Sequence, residues 1–148
     1  MLDSFTILII GILVSIIFYE LTDISPGGII VPGLLVMYFD SIERVIYTVI
    51  IGLITFLIVK FLSKYILVFG KRRFVLMIIV SIILSIIIEL IMNALSVNML
   101  SISIVGYTIA GLIANDFYKQ GVKKTLPALT ICVCLLELIV IIGYQLGV

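Results

Sequence analysis

The chain has 148 residues, 64% of them hydrophobic and 11% charged, with a mean hydropathy of +1.49 and a net charge of +1. That much apolar surface has to face lipid, so the sequence describes an all-α integral membrane protein, and no polar run is long enough to build a soluble catalytic domain beside the spans. The absence of histidine excludes histidine-based catalysis, histidine metal sites and histidine proton relays.

A spanning helix needs roughly 20 apolar residues. Phe5 to Tyr19 supplies a slightly short first span that ends at Glu20, and no basic group precedes it, so the expectation is a retained helix and not a cleaved signal. Ile24 to Phe39 is apolar but interrupted. Pro26-Gly27-Gly28-Ile29-Ile30-Val31-Pro32-Gly33 places two prolines and three glycines in it and leaves Val31 to Phe39 as helix. Val45 to Phe69 is a long span whose lower end carries Lys60 and Lys64, and Phe74 to Leu95 is a third span containing Glu89. Leu100 to Phe117 is a second broken segment, helical from Val105 to Tyr118, and Thr125 to Leu146 is the last span, containing Glu137. Cys132 and Cys134 are two residues apart and point to different faces of that helix, which suits small packing residues better than a disulfide or a metal pair.

The order is full helix, broken element, full helix, and then the same again. Superposing Gly28 on Gly106 aligns Gly33-Leu34-Leu35 with Gly111-Leu112-Ile113 and Phe39 with Phe117. A single polytopic domain, 1–148, with repeat halves at about 1–70 and 71–148 follows: four full spans plus two short broken helices. If the broken elements cross the membrane, the halves are inverted relative to one another; if they are re-entrant, the halves are parallel. Charge favours inversion. Eight of the nine basic residues fall in two clusters, Lys60, Lys64, Lys71, Arg72 and Arg73, then Lys119, Lys123 and Lys124, and the ninth, Arg44, sits beside Asp40 and Glu43. Both clusters belong in the cytoplasm by the positive-inside rule, and they share a side only if the second broken element crosses. Its helical part reaches only about 21 Å, so extended backbone from Val97 to Ile104 is expected to complete the crossing.

Backbone that is not helical cannot face lipid and has to line protein or water. Pro32 and Gly33 reset the chain into a new helix, whose free N–H groups and positive dipole end attract an anion. The competing reading is that these residues only permit close helix packing or a tight hairpin. Lys60 and Lys64 are expected to snorkel to the cytoplasmic interface, while Glu20 and Asp23 stand where the first helix meets the break. Glu137, nearest mid-membrane, either pairs with a base, stays protonated or contacts another subunit.

Glu20, Pro26, Gly28 and Ile30-Val31-Pro32-Gly33, then Gly70-Lys71-Arg72-Arg73-Phe74, then Gly106 with Ala110-Gly111-Leu112-Ile113-Ala114-Asn115 and Lys119-Gln120-Gly121, resemble as a set the CapC/PgsC family, small membrane subunits of bacterial poly-γ-glutamate synthesis and capsule machinery. The resemblance covers nearly the whole chain. It departs at Ile109-Ala110-Gly111, where the family usually has Val-Pro-Gly, so the second break lacks its proline. The resemblance implies a multi-pass subunit of the bacterial cytoplasmic membrane. Its partners would be a Mur-ligase-like ATP-dependent amide ligase of CapB/PgsB type and a membrane-anchored extracytoplasmic subunit of CapA/PgsA type, together polymerising glutamate and delivering the anionic chain outward. No Gly-x4-Gly-Lys-Ser/Thr loop occurs, so this chain is expected to bind no cofactor, with ATP and metal on the ligase. Nucleic acid is not an expected partner.

Breaks and motifs together nominate Glu20, Pro26, Gly28, Pro32, Gly33, Gly106, Gly111 and Asn115 as an anion path or broken-helix site. Lys71, Arg72, Arg73, Lys119, Lys123 and Lys124 are the expected cytoplasmic contacts for a partner or for the polymer. The first functional reading is a non-catalytic subunit that anchors the ligase and contributes to passage of poly-γ-glutamate. The alternatives are an independent small transporter or channel, and a purely structural assembly factor. A membrane-embedded enzyme ranks last, because no nucleophile, metal cluster or acid and base pair converges in the sequence.

Overall fold

The computed structural model describes residues 3–38, 42–67, 69–95 and 107–146. It contains six helices: α1 (Ser4–Thr22), α2 (Val31–Met37), α3 (Ile42–Leu62), α4 (Lys71–Ala94), α5 (Tyr107–Gln120) and α6 (Val122–Gln145), with no strand among the described residues. The four long ones, α1, α3, α4 and α6, are apolar and long enough to cross a bilayer. The protein is an all-α integral membrane protein with two short helices between its spans.

Several boundaries differ from the hydropathy reading for local reasons. α1 runs past Tyr19 to Thr22, whose hydroxyl bonds back to Phe18 O at 2.7 Å, and it stops where Asp23 turns left-handed (φ 55°) and donates its N–H to Tyr19 O at 2.8 Å. α3 ends at Leu62, not Phe69. Its last carbonyls are taken by tight turns, Lys64 N–H on Phe61 O and Tyr65 N–H on Leu62 O, so Lys64 lies beyond the helix. α4 starts at Lys71 directly after Gly70 (φ 57°), and α6 starts at Val122 after Gly121 (φ 88°). The extended crossing expected for Val97 to Ile104 lies outside the described residues, as do Gly106 and Asp40.

The two short helices form the centre, and the spans surround them. α1 packs on α2, α4 on α5, α3 on α5 and α4, and α6 on α2 and α1. Close crossings depend on glycine. A Cβ on Gly11 of α1 would stand 2.4 Å from the Gly33 Cα of α2, and one on Gly111 of α5 would meet Ile78 Cα of α4 at 2.9 Å. Away from the centre, side chains such as Ile79, Ile83, Ile87 and Leu90 of α4 are exposed and meet lipid.

Buried positions recur with similar spacing in pairs of helices, at offsets of 77 residues for α3 and α6, 78 for α2 and α5 and 70 for α1 and α4. Thr48, Ile51, Gly52, Thr55, Phe56 and Val59 of α3 correspond to Thr125, Ala128, Leu129, Cys132, Val133 and Leu136 of α6, all buried. Val31, Gly33, Leu35 and Val36 of α2 correspond to Ile109, Gly111, Ile113 and Ala114 of α5, again all buried. Gly11 and Ser15 of α1 correspond to Ser81 and Ser85 of α4. The buried polar contacts at these positions differ between the pairs. Ser15 Oγ lies 3.8 Å from Cys132 Sγ, while their counterparts, the Ser85 and Thr55 hydroxyls, are buried without a hydrogen-bond partner among the described residues.

α5 runs antiparallel to α4 along the first half of it. Ser81 Oγ donates to Tyr107 O at 2.9 Å at the start of α5, Gly111 lies against Ile78, and the Arg73 guanidinium carbon sits 4.3 Å from the Tyr118 ring centroid near its end. Leu95 and Tyr107, the described residues flanking the second break, therefore lie about 20 Å apart along α4. Phe56 of α3 stacks edge-on against both Phe117 and Tyr118. The end of α3, the start of α4, the end of α5 and the start of α6 thus meet at one end of the bundle.

Candidate functional site

At that end a cavity of about 640 Å³ opens between the first break and α5. Tyr19, Asp23, Ser25 and the Pro26 to Val31 backbone form one wall; Leu112, Asn115, Asp116, Lys119 and Gln120 of α5 form the other, with Phe74 of α4. The break can lie there because its glycines take backbone angles that other residues resist: Gly27 at φ 84° and Gly28 at φ 109°. A Cβ on Gly27 would also come within 2.9 Å of Leu129 Cδ1, so that side chain would have to shift.

Ser25 ties the two walls together. Its hydroxyl donates a short hydrogen bond to Asp116 Oδ2 and accepts the Gly28 N–H at 3.1 Å. Its backbone is read in both directions by Gln120, whose Oε1 accepts the Ser25 N–H at 2.8 Å and whose Nε2 donates to Ser25 O at 3.0 Å. Backbone groups that would otherwise be orphaned inside the membrane end of the protein are satisfied in this way. Asp116 is 6% exposed, and Thr125 Oγ1 donates to its backbone carbonyl at the join of α5 and α6.

The nominated residues divide. Pro26, Gly28 and Asn115 line the cavity. Pro32 and Gly33 are buried in α2, with Gly33 against Gly11 and Leu8, and Gly111 is buried against α4, so these three serve helix crossings at a distance from the cavity wall. Glu20 is exposed on the last turn of α1 and does not line the cavity, and Gly106 lies outside the described residues. Of the basic set, Lys119 lines the cavity, Lys71, Arg72, Lys123 and Lys124 are exposed at the same end, and Arg73 covers Tyr118 with its Nε buried and without a hydrogen-bond partner among the described residues. Lys60, near the end of α3, lies 5.4 Å from the Phe56 ring centroid. Elsewhere, Cys132 is buried and Cys134 exposed, both as free thiols, and Glu137 is half-buried in α6 and has an interaction partner. No group of three His, Cys, Asp or Glu side chains suited to a metal ion occurs among the described residues.

Sequence reasoning nominated none of Ser25, Asp116 and Gln120 as a site residue, although Gln120 stands in the Lys119-Gln120-Gly121 motif. A carboxylate inside an apolar helix was a signal for Asp116, but its partner is 91 residues away in sequence and only the fold brings them together.

Comparison with known proteins agrees with the motif set. The family profile described as capsule biosynthesis CapC matches residues 10–126. The chain is 36% identical over 124 residues to the PGA biosynthesis protein CapC of Bacillus subtilis strain 168, covering 83% of each chain. It is 29% identical over 125 residues to the capsule biosynthesis protein CapC of Bacillus anthracis, covering 84% of each. No solved structure matches. The profile spans the first break, the Lys71 to Arg73 cluster and all of α5, the segments that build the cavity end, and the chain belongs to the CapC capsule-biosynthesis family.

Proposed function

We propose that this protein is the non-catalytic membrane subunit of a poly-γ-glutamate synthase and export complex, anchoring an ATP-dependent amide ligase and contributing to passage of the anionic chain. The observation that carries this is convergence: both basic clusters and the cavity occur at one end of the bundle, brought there by the packing of α5 on α3 and α4. A cationic face attracts a polyanionic product and a docked enzyme alike, and the positive-inside rule makes this end cytoplasmic. The recurring burial spacing supports a repeat, and the return of α5 along α4 to the basic end supports its inverted form, in which each broken element crosses from one face to the other. ATP and metal belong to the ligase on the cytoplasmic side, and a membrane-anchored extracytoplasmic subunit of CapA/PgsA type meets the opposite face.

The test is co-purification in mild detergent from cells expressing the whole operon. The ligase is expected to travel with the tagged protein in a fixed ratio, while the protein expressed alone neither hydrolyses ATP nor polymerises glutamate. Polymer made by the purified single subunit, or a tagged protein that never retains a ligase, overturns the reading.

A further inference from the structure

The interior of an anionic polymer is poorly matched to the cavity. Of the three charged side chains on its wall, Asp23 and Asp116 are acids and only Lys119 is a cation. Other basic groups, Lys71, Arg72, Lys123 and Lys124 among them, stand outside it at the same end. The wall therefore offers both signs of charge a short distance apart: Asp116 and Lys119 are three residues apart on α5, with roughly 5–6 Å between their Cβ atoms.

Asn115 supplies an independent indication of a ligand. It is 5% exposed and lines the cavity, yet its side chain makes no hydrogen bond among the described residues. Its amide atoms are open to the cavity, where a bound partner can pair with them. How such a group reads a ligand is visible five residues along the same helix, where Gln120 holds the Ser25 peptide through both its oxygen and its nitrogen. Asn115 presents the same donor and acceptor to the cavity.

We propose that the cavity binds an α-amino-acid head group, an ammonium and a carboxylate on one carbon. The ammonium lies at Asp116, with Asp23 at the mouth, the carboxylate lies at Lys119, and the following amide, where there is one, pairs with Asn115. A carboxylate accepts several hydrogen bonds, so the Ser25 hydroxyl on Oδ2 does not exhaust Asp116. This rests on the proposed function for the identity of the ligand. In a γ-linked glutamate chain every residue keeps its α-carboxylate, but only the amino-terminal one keeps an α-ammonium. The two sources of the head group are thus free glutamate and the amino-terminal end of the chain. In the second case the chain enters by that end while its polyanionic body lies along the basic rim.

Calorimetric titration of the full chain in detergent, with glutamate, γ-linked triglutamate, its N-acetyl derivative and glutarate, tests this on the wild-type protein. Triglutamate is expected to bind, and removing its ammonium by N-acetylation is expected to weaken binding about tenfold or more, as losing a charge-assisted hydrogen bond does. Glutarate, without an ammonium, should bind more weakly than glutamate. Triglutamate tighter than glutamate identifies the chain end as the source, and the reverse order identifies the monomer; both support the head-group assignment. Asp116→Asn should weaken both ligands, and Asn115→Ala should remove any advantage of triglutamate over glutamate. Equal affinity for the free and N-acetylated chains, or no binding of either glutamate or triglutamate, overturns the assignment. If binding fails while the ligase still co-purifies, the head-group site is wrong and the subunit reading stands; binding without a ligase has the opposite meaning.

Discussion

Ser25 shows what one residue can do when it joins two halves of a sequence. Ser25→Ala removes the hydroxyl bonded to Asp116 and to the Gly28 N–H, leaving a buried carboxylate short of a donor, at a cost of about 1–3 kcal/mol. Thermal unfolding in detergent, followed by circular dichroism, should show a lower Tm. Because Gln120 grips the same residue, Gln120→Ala combined with Ser25→Ala should lose less than the sum of the two single changes; strict additivity would mean that the two contacts act separately. Glycine roles divide just as sharply. The break made Gly33 look like the opening of an anion site, yet its position is set by Gly11, which hydropathy gave no reason to notice. Gly11→Ala drives a methyl into the Gly33 backbone and should cost about 1–3 kcal/mol or more, since neither helix backbone yields easily. An unchanged Tm would show that α1 and α2 do not cross as closely as described.

At the scale of elements, the spans and breaks were legible because hydrocarbon runs and proline act locally. What was not legible is where helices end and what they touch. α3 stops at Leu62 although apolar residues continue to Phe69, because tight turns and then Gly70 redirect the chain. Pro32 marks α2, which begins one residue before it, whereas Ala110 at the equivalent place allows α5 to begin three residues earlier, at Tyr107, and to run twice as long. The basic end also carries an electrostatic cost. Lys71 to Arg73 and Lys123 to Lys124 occupy the first turns of α4 and α6 with no acidic group there, against the positive helix dipole, at about 0.3–1 kcal/mol per charge. Accepting that cost makes sense if positive charge at this face sets orientation or binds a partner. In a background without Cys132 and Cys134, Arg72→Cys and Lys123→Cys should both be shielded from an impermeant thiol reagent in whole cells, and Glu43→Cys should react. Labelling at position 123 but not at 72 would mean that the second broken element does not cross.

For the whole molecule, the deciding issue is whether the basic end holds its partner by charge or by apolar contact. Among the exposed cations at that end, Lys71 and Arg72 at the start of α4 and Lys123 and Lys124 at the start of α6 reach one face because α5 returns along α4. Attraction between such groups and an acidic surface is screened over a Debye length that falls from about 10 Å at 0.1 M salt to about 3 Å at 1 M. Ligase retained by the wild-type protein at low salt should therefore wash off as salt rises. Replacing the four cations by glutamine should lower retention at low salt and make what remains insensitive to salt, with polymer output falling in parallel. Because these charges also bear on orientation, the variant has to be checked with Glu43→Cys, which should still label from outside. A ligase that stays bound through 1 M salt, or that binds the neutralised variant as well as the wild type, would mean that docking uses the apolar flank of the bundle and that the basic face serves only topology or the polymer.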